Sequence, residues 1–358
     1  MPQPADAARK RAEIGNIDSG ADGLAAAIRQ HLRQTYGPNV VENPAGRAGL
    51  LALRPDSLFA KDRTRTLLVG AARGLGAKLR IAFMMNRHGT VGVDLVALNV
   101  NDLACVGAEP LFFLACISGG TLEPAATAEV VKGIAAGCRE SGCSLLGSDT
   151  AEVPGLCPPG QYALAGAAVG VVDRRRRIDG SHILPGDRII GLASSGLHAD
   201  GYELVRAVFF DRAMWKANRY VDELGCTLGE ELLRPTRAYC TAVRSVLRVY
   251  RVKHMVRGIA HIAGGGFAAC IPPVLPPGCG ARIVRGTWPV PPIFTLVQKL
   301  GNIGGREEMH RAFNMGIGMI LVVSPLVAEI VIRRLEGQGR PAWLIGEIVK
   351  GDRNVTIT

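Results

Sequence analysis

The chain has 358 residues, of which 48% are hydrophobic and 20% charged, which is ample apolar material for a sizeable core and excludes wholesale disorder. Its length favours two domains and excludes a small stapled scaffold. With 42 Lys and Arg against 31 Asp and Glu the net charge is +11, which suits an acidic partner, be it nucleic acid, anionic membrane or a phosphorylated small molecule, without choosing among them.

In chain order, residues 1–40 form a polar entry segment with a short helix at 21–32, punctuated by Gly37-Pro38 and followed by Asn43-Pro44. The segment lacks the apolar core of a signal peptide, and no stretch approaches the ~20 apolar residues of a membrane span, so a cytoplasmic protein without membrane attachment is expected. Nine cysteines are too sparse for a disulfide framework and lack zinc-ligand spacing, which fits a reducing compartment. From 66 to 173, short β-branched or apolar runs at 66–70, 144–146 and 164–172 alternate with helical patterns. The clearest helix is 122–140: Val130, Val131, Ile134 and Cys138 recur at helical spacing, Pro124 lies near its start and Gly142 follows its end. Arg174-Arg175-Arg176-Arg177 reads as a solvated charged turn at a domain boundary. Beyond Arg188 the pattern restarts with a strand at 189–194, a Gly/His loop, a helix from Tyr202, a long helix at 235–249, a strand at 315–323 and short strands within 342–358. No internal repeat is present.

The stretch 91–106 is apolar almost throughout, which predicts a buried helix, yet it carries Asp94, Asn99, Asn101 and Asp102. At 100° per residue Asn101 falls about 20° from Asp94 and Asp102 about 80°, so the polar groups share one side. Buried carboxylates need partners. A cation or ligand would serve, and so would backbone donors or an Arg.

Three Gly-rich segments could bring backbone N–H groups to a phosphate: Arg73-Gly74-Leu75-Gly76-Ala77-Lys78, Ser194-Ser195-Gly196-Leu197-His198-Ala199-Asp200-Gly201, and His261-Ile262-Ala263-Gly264-Gly265-Gly266-Phe267. The first has neither the P-loop spacing nor the dinucleotide fingerprint. The third would deliver free amides at a helix start. His198 and His261 are thereby placed for proton transfer beside a phosphorylated ligand or for a core hydrogen bond. Asp149 and Glu152, after an apolar strand, present oxygen ligands suited to Mg²⁺. The basic residues are scattered without aromatic interleaving, which argues against nucleic acid.

Together these segments resemble the aminoimidazole ribonucleotide synthetase family, also called phosphoribosylformylglycinamidine cyclo-ligases. The likeness rests on Gly92-Val93-Asp94-Leu95-Val96-Ala97 with Val100-Asn101-Asp102-Leu103, Gly107-Ala108-Glu109-Pro110-Leu111-Phe112-Phe113-Leu114, Thr150-Ala151-Glu152, Leu233-Arg234-Pro235-Thr236-Arg237, Ile259-Ala260-His261 with Gly264-Gly265-Gly266-Phe267, and Phe313-Asn314-Met315-Gly316. It implies an α+β fold of two domains after a variable segment at 1–40: an N-terminal domain at 41–173 forming a dimeric β-barrel, and a mixed α/β domain at 174–358. It further implies a homodimer that uses ATP and Mg²⁺ to cyclise formylglycinamidine ribonucleotide. On the same likeness His198 and His261 are catalytic, and Arg73, Gly74, Gly76, Lys78, Asn101, Gly264, Gly265 and Gly266 bind nucleotide or phosphate. Asp94, Asp149 and Glu152 would hold the metal.

The chain departs from the family pattern G-T-D-G-V-G-T-K-L, reading Ala71-Ala72-Arg73-Gly74-Leu75-Gly76-Ala77-Lys78-Leu79, so a guanidinium stands where a metal-binding carboxylate would be. Arg73 and Arg47 are then candidates to meet ATP phosphates directly. A second reading is a non-catalytic homologue that binds a ribonucleotide or a partner subunit. Selenophosphate synthetase and thiamine-phosphate kinase fit less well: the first cysteine is Cys105, so no N-terminal nucleophilic thiol exists.

Overall fold

A computed structural model describes residues 39–41, 43, 48–52, 65–249 and 254–358. The helix expected at 21–32 and Arg47 lie outside the described residues. Among the described residues of 42–358 the chain builds two large sheets and a two-stranded ribbon of Tyr220–Val221 with Cys226–Thr227. The first contains β1 (Gly49–Ala52), β2 (Thr66–Leu75), β3 (Glu109–Gly119), β4 (Ser144–Glu152) and β5 (Tyr162–Asp173), in the order β1-β2-β5-β3-β4. Every pairing is antiparallel except β3 with β4, which run parallel. That parallel pair needs a crossover, supplied by α3 (Pro124–Ser141). Pro124 in its first turn and Gly142 in the left-handed conformation at its end match the sequence expectation.

Period-two alternation decides the faces of this sheet. Leu67, Val69 and Ala71 point inward and are buried, while Leu68, Gly70 and Ala72 point outward. Behind the inner face lies α2 (Gly89–Cys105), buried nearly throughout as its composition requires. α2 and α3 meet almost backbone to backbone: a Cβ at Gly133 would lie 1.8 Å from the Gly89 carbonyl oxygen. Between β2 and α2 sits the short α1 (Lys78–Met85).

The second sheet has six strands: β6 (Arg188–Ala193), β7 (Val256–His261), β8 (Cys279–Ile283), β9 (Ile317–Val323), β10 (Ala342–Lys350) and β11 (Val355–Ile357), ordered β7-β9-β6-β10-β8-β11. Ile189, Ile320, Val322, Ile345, Ile283 and Phe267 form its core.

Three elements differ from expectation. β2 continues to Leu75, so Arg73 and Gly74 are strand residues paired with Gly166 and Ala165 and not part of a phosphate loop. β4 likewise continues to Glu152, so Asp149 and Glu152 lie on an edge strand and not in the loop after it. The long helix expected at 235–249 is α4 (Cys240–Val249), because the Thr236 and Tyr239 amides donate to side chains of α2 instead of continuing a helix. Among the described residues the first sheet is open, with no closed barrel within one chain.

Candidate active site

The polar side of α2 organises the site. Lys78, the first residue of α1, is wholly buried, with its ammonium 2.9 Å from Asp94 Oδ1 and 2.8 Å from Oδ2. The same group donates to the carbonyls of His198 at 2.9 Å and Arg234 at 2.6 Å. Asp94 Oδ1 also accepts from the Thr236 amide at 2.7 Å and its hydroxyl at 2.6 Å. Burial pushes the Asp94 carboxyl up and the Lys78 ammonium down, and each charge opposes the shift of the other. The donors around the carboxylate and the acceptors around the ammonium keep the pair ionised. Lys78 is therefore committed to three protein acceptors and not to a phosphate, and Asp94 to Lys78 and Thr236 and not to a metal.

About two turns further along α2, Asp102 Oδ2 receives Arg73 Nη1 at 3.2 Å while its Oδ1 lies 3.3 Å from His261 Nδ1. Asp102 is fully buried and the Arg73 side chain is 30% exposed. The Asn101 amide is oriented by two bonds: Oδ1 accepts from the Tyr239 N–H at 2.8 Å and Nδ2 donates to the Arg237 carbonyl at 2.9 Å. Nδ2 also lies 3.4 Å from His261 Nε2. Because Nδ2 can only donate, Nε2 carries a lone pair and the ring proton sits on Nδ1, toward Asp102. Arg73, Asp102, His261 and Asn101 thus form one continuous chain of polar contacts.

His198 closes the site from the loop after β6. Its Nε2 accepts from the Ser195 N–H at 3.2 Å, which places the proton on Nδ1, and that buried Nδ1 has no hydrogen-bonding partner among the described residues. Desolvation, followed by the neighbouring His261 and the charges of Lys78 and Arg237, holds this imidazole well below its usual range, so it is neutral. The loop is fastened by Asn314, which donates to the Gly196 carbonyl at 2.9 Å and accepts from the Ser194 hydroxyl at 2.9 Å and the Gly316 amide at 2.9 Å. Ser195 in turn donates to the Pro235 carbonyl at 2.6 Å.

The glycines of the third Gly-rich segment have structural reasons. Gly265 and Gly266 have φ of +85° and +59°, and a Cβ at Gly266 would lie 1.8 Å from the His310 carbonyl oxygen. Gly266 already donates to the Ala263 carbonyl at 3.0 Å, and Gly264 faces the Asp200 carboxylate, which disfavours an anion there. Gly74 packs on the Leu164 carbonyl in the strand, whereas Gly76 meets open space.

The three expected metal ligands are not brought together. Asp94 is buried behind Lys78; Asp149 is exposed on β4, and Glu152 accepts from the Leu122 amide at 2.9 Å. Among the described residues no three His, Cys, Asp or Glu side chains are grouped to hold a metal ion. Thr236, Tyr239 and Asn314 are site residues beyond those the sequence singles out. Thr236 and Asn314 lie in the Leu233-Arg234-Pro235-Thr236-Arg237 and Phe313-Asn314 segments that carry the family likeness, whereas Tyr239 lies outside both.

Comparison with known proteins gives this framework a family. The model of the AIR synthase related protein N-terminal domain matches residues 58–172, and that of the C-terminal domain matches 185–358. The chain belongs to the AIR synthase related protein family. Within it, a phosphoribosylformylglycinamidine cyclo-ligase of Acetivibrio thermocellus is 46% identical over 342 residues, covering 96% of this chain and 97% of that protein. One of Geobacillus thermodenitrificans is 45% identical, covering 94% of each. Among solved structures, thiamine-monophosphate kinase from Stenotrophomonas maltophilia superposes with a TM-score of 0.61 at 19% identity, over 92% of this chain and 94% of that one. At that identity the likeness shows that this AIR synthase related chain shares the fold. No helix among the described residues is long and apolar enough to cross a membrane.

Proposed function

We propose that the chain is a phosphoribosylformylglycinamidine cyclo-ligase, which closes the imidazole ring of formylglycinamidine ribonucleotide with ATP. The observation that carries this reading is the 46% identity, over 96% of the chain, to a relative of that name. ATP supplies the phosphoryl group that turns the formamide oxygen into a leaving group. The chain's own residues then have to orient the substrate and move protons. A buried donor without a partner costs about 1–3 kcal/mol, so His198 Nδ1–H is a group that a ligand oxygen would satisfy. His261 keeps a lone pair at Nε2 and is held in that tautomer by Asp102, which suits it to accept the proton released as the amidine nitrogen attacks. Arg73 neutralises the outer oxygen of Asp102. Asp94, Asp149 and Glu152 do not fit a common Mg²⁺ site, and no step is assigned to a metal.

We also infer a division into domains near residue 174 and a homodimer that closes a barrel by joining the open faces of two first sheets. The outward face supports this: Leu51, Leu68, Ala72, Leu114, Ala165 and Val171 share it by register. Nine cysteines are too sparse for a disulfide framework, in keeping with a cytoplasmic setting.

The test is to incubate the full chain with formylglycinamidine ribonucleotide, ATP and Mg²⁺ and to measure ADP and aminoimidazole ribonucleotide. Both should form in equal amounts, and His198→Asn and His261→Asn should each lower kcat about 100-fold or more. Substrate binding without ADP formation would refute the ligase and identify a non-catalytic ribonucleotide-binding homologue.

A further inference from the structure

The C-terminus of α3 holds a chemical feature that the site above does not use. The helix ends in a Schellman turn: the Cys143 amide donates to the Cys138 carbonyl at 3.0 Å and the Gly142 amide to the Arg139 carbonyl at 3.2 Å, with Gly142 at φ +71°. In that motif the residue after the left-handed glycine packs its side chain on the residue five positions earlier, usually as an apolar contact. Here both are cysteines, so the turn sets the two side chains against each other. Cys138 is 2% exposed on the face of α3 turned inward, whereas Cys143 is partly exposed and open to a small reagent. A third thiol stands beside the turn, since Cys240 Sγ lies 3.6 Å from the Ser141 carbonyl oxygen.

We propose that Cys138 and Cys143 form a thiol–disulfide exchange site that reacts with low-molecular-weight disulfides and closes to an intramolecular disulfide across the Schellman turn. The accessible Cys143 thiolate attacks one sulfur of the disulfide RSSR, forming a Cys143–SR bond and releasing RS⁻, which takes up the proton lost by Cys143. Cys138 then attacks the Cys143 sulfur, the Cys143–SR bond breaks, and a second RSH leaves. The dithiol loses two electrons and two protons, and RSSR is reduced to two RSH. The roles follow from exposure, since Cys143 is open to the reagent and Cys138 is buried. Donation from Cys138 pushes the Cys143 thiol down, favouring its thiolate, and the same contact followed by burial pushes Cys138 up. Burial raises Cys240 to about 11, which keeps it a thiol and a bystander. The turn's own hydrogen bonds fix residues 138 and 143 on either side of the helix end, the pairing that the Schellman motif uses for its side-chain contact.

The probe is oxidised glutathione, added to the reduced full chain under native conditions, followed by alkylation and mass measurement. The expected product has lost about 2 Da, carries no glutathione, reverts with dithiothreitol, and maps to a Cys138–Cys143 bond. Cys138→Ala should instead stop at a stable glutathione adduct on Cys143. Cys143→Ala should slow thiol loss at Cys138 at least about tenfold, because the remaining sulfur is buried. As a measurement independent of any variant's folding, phenylarsine oxide, a dithiol reagent, should bridge the two sulfurs of the wild-type chain and protect them from alkylation. A persistent glutathione adduct on wild-type Cys143, a bond between other cysteines, or unprotected Cys138 and Cys143 after phenylarsine oxide would each overturn the proposal.

Discussion

Arg73 stands where the family pattern has an acid, and its guanidinium is turned inward onto Asp102. Hydrogen bonds to charged groups contribute about 1.5–3 kcal/mol, and the acceptor here is wholly buried, so Arg73→Ala is expected to destabilise the fold by that amount in urea titrations. If the variant lost ATP affinity at unchanged stability, Arg73 would be a phosphate ligand, as the sequence suggested, and its link to Asp102 incidental. A second residue-scale expectation concerns pH. Desolvation holds buried His198 well below the usual range and lowers His310 to about 4. Unfolded imidazoles titrate near ~6.5, so as pH falls below that value the unfolded chain binds protons that the folded chain refuses. Stability is therefore full above ~6.5 and declines as pH falls through the depressed values. His310→Gln removes one of these groups, and its urea midpoint should drop less than that of wild type between about pH 7 and pH 5. Equal drops would assign the dependence to other groups.

At the scale of elements, the sequence exposes what is local and hides what is brought together from afar. Polar residues on the greasy face of α2 were visible by angle alone, and Asn101 and Asp102 do meet His261. An Arg partner for the buried carboxylates was among the readings left open, and Asp102 has one. What could not be read was that Lys78, 16 residues before Asp94, would be its counter-ion, because that pairing depends on how α1 folds back against α2. Glycines are hard to read for a related reason: one demanded by close packing and one demanded by a phosphate look the same in sequence. The structure separates them. A Cβ at Gly133 would sit 1.8 Å from the Gly89 carbonyl oxygen, and one at Gly76 would meet nothing within 4 Å. Gly133→Ala should therefore lower stability by at least about 1–3 kcal/mol as the two helices are forced apart, whereas Gly76→Ala should be near neutral. Loss of ATP affinity in a fully stable Gly76→Ala protein would restore Gly76 to the phosphate site.

At the scale of the whole molecule, the two sheets meet their apolar surfaces very differently. The second sheet encloses β9, whose residues are all buried, so that strand needs no further cover. The first covers only its inner face. On the outer face Leu51 is 41% exposed and Leu114 44%, with Ala163 and Ala165 between strands of similar character, so a small domain leaves an extended apolar surface open to water. A second copy offering the same face would cover it by twofold symmetry, each strand set burying the other's outward leucines and alanines. A charge placed at the centre of that face would be buried unpaired on association yet would lie in solvent on an isolated chain, so it should separate assembly from folding. Leu114→Glu and Ala165→Glu are thus expected to convert a dimer to a monomer, seen as a halved mass by light scattering at micromolar protein, with the secondary structure retained. A wild-type chain that is already monomeric at that concentration would exclude the shared face. Variants that stay dimeric would move the interface elsewhere on the molecule.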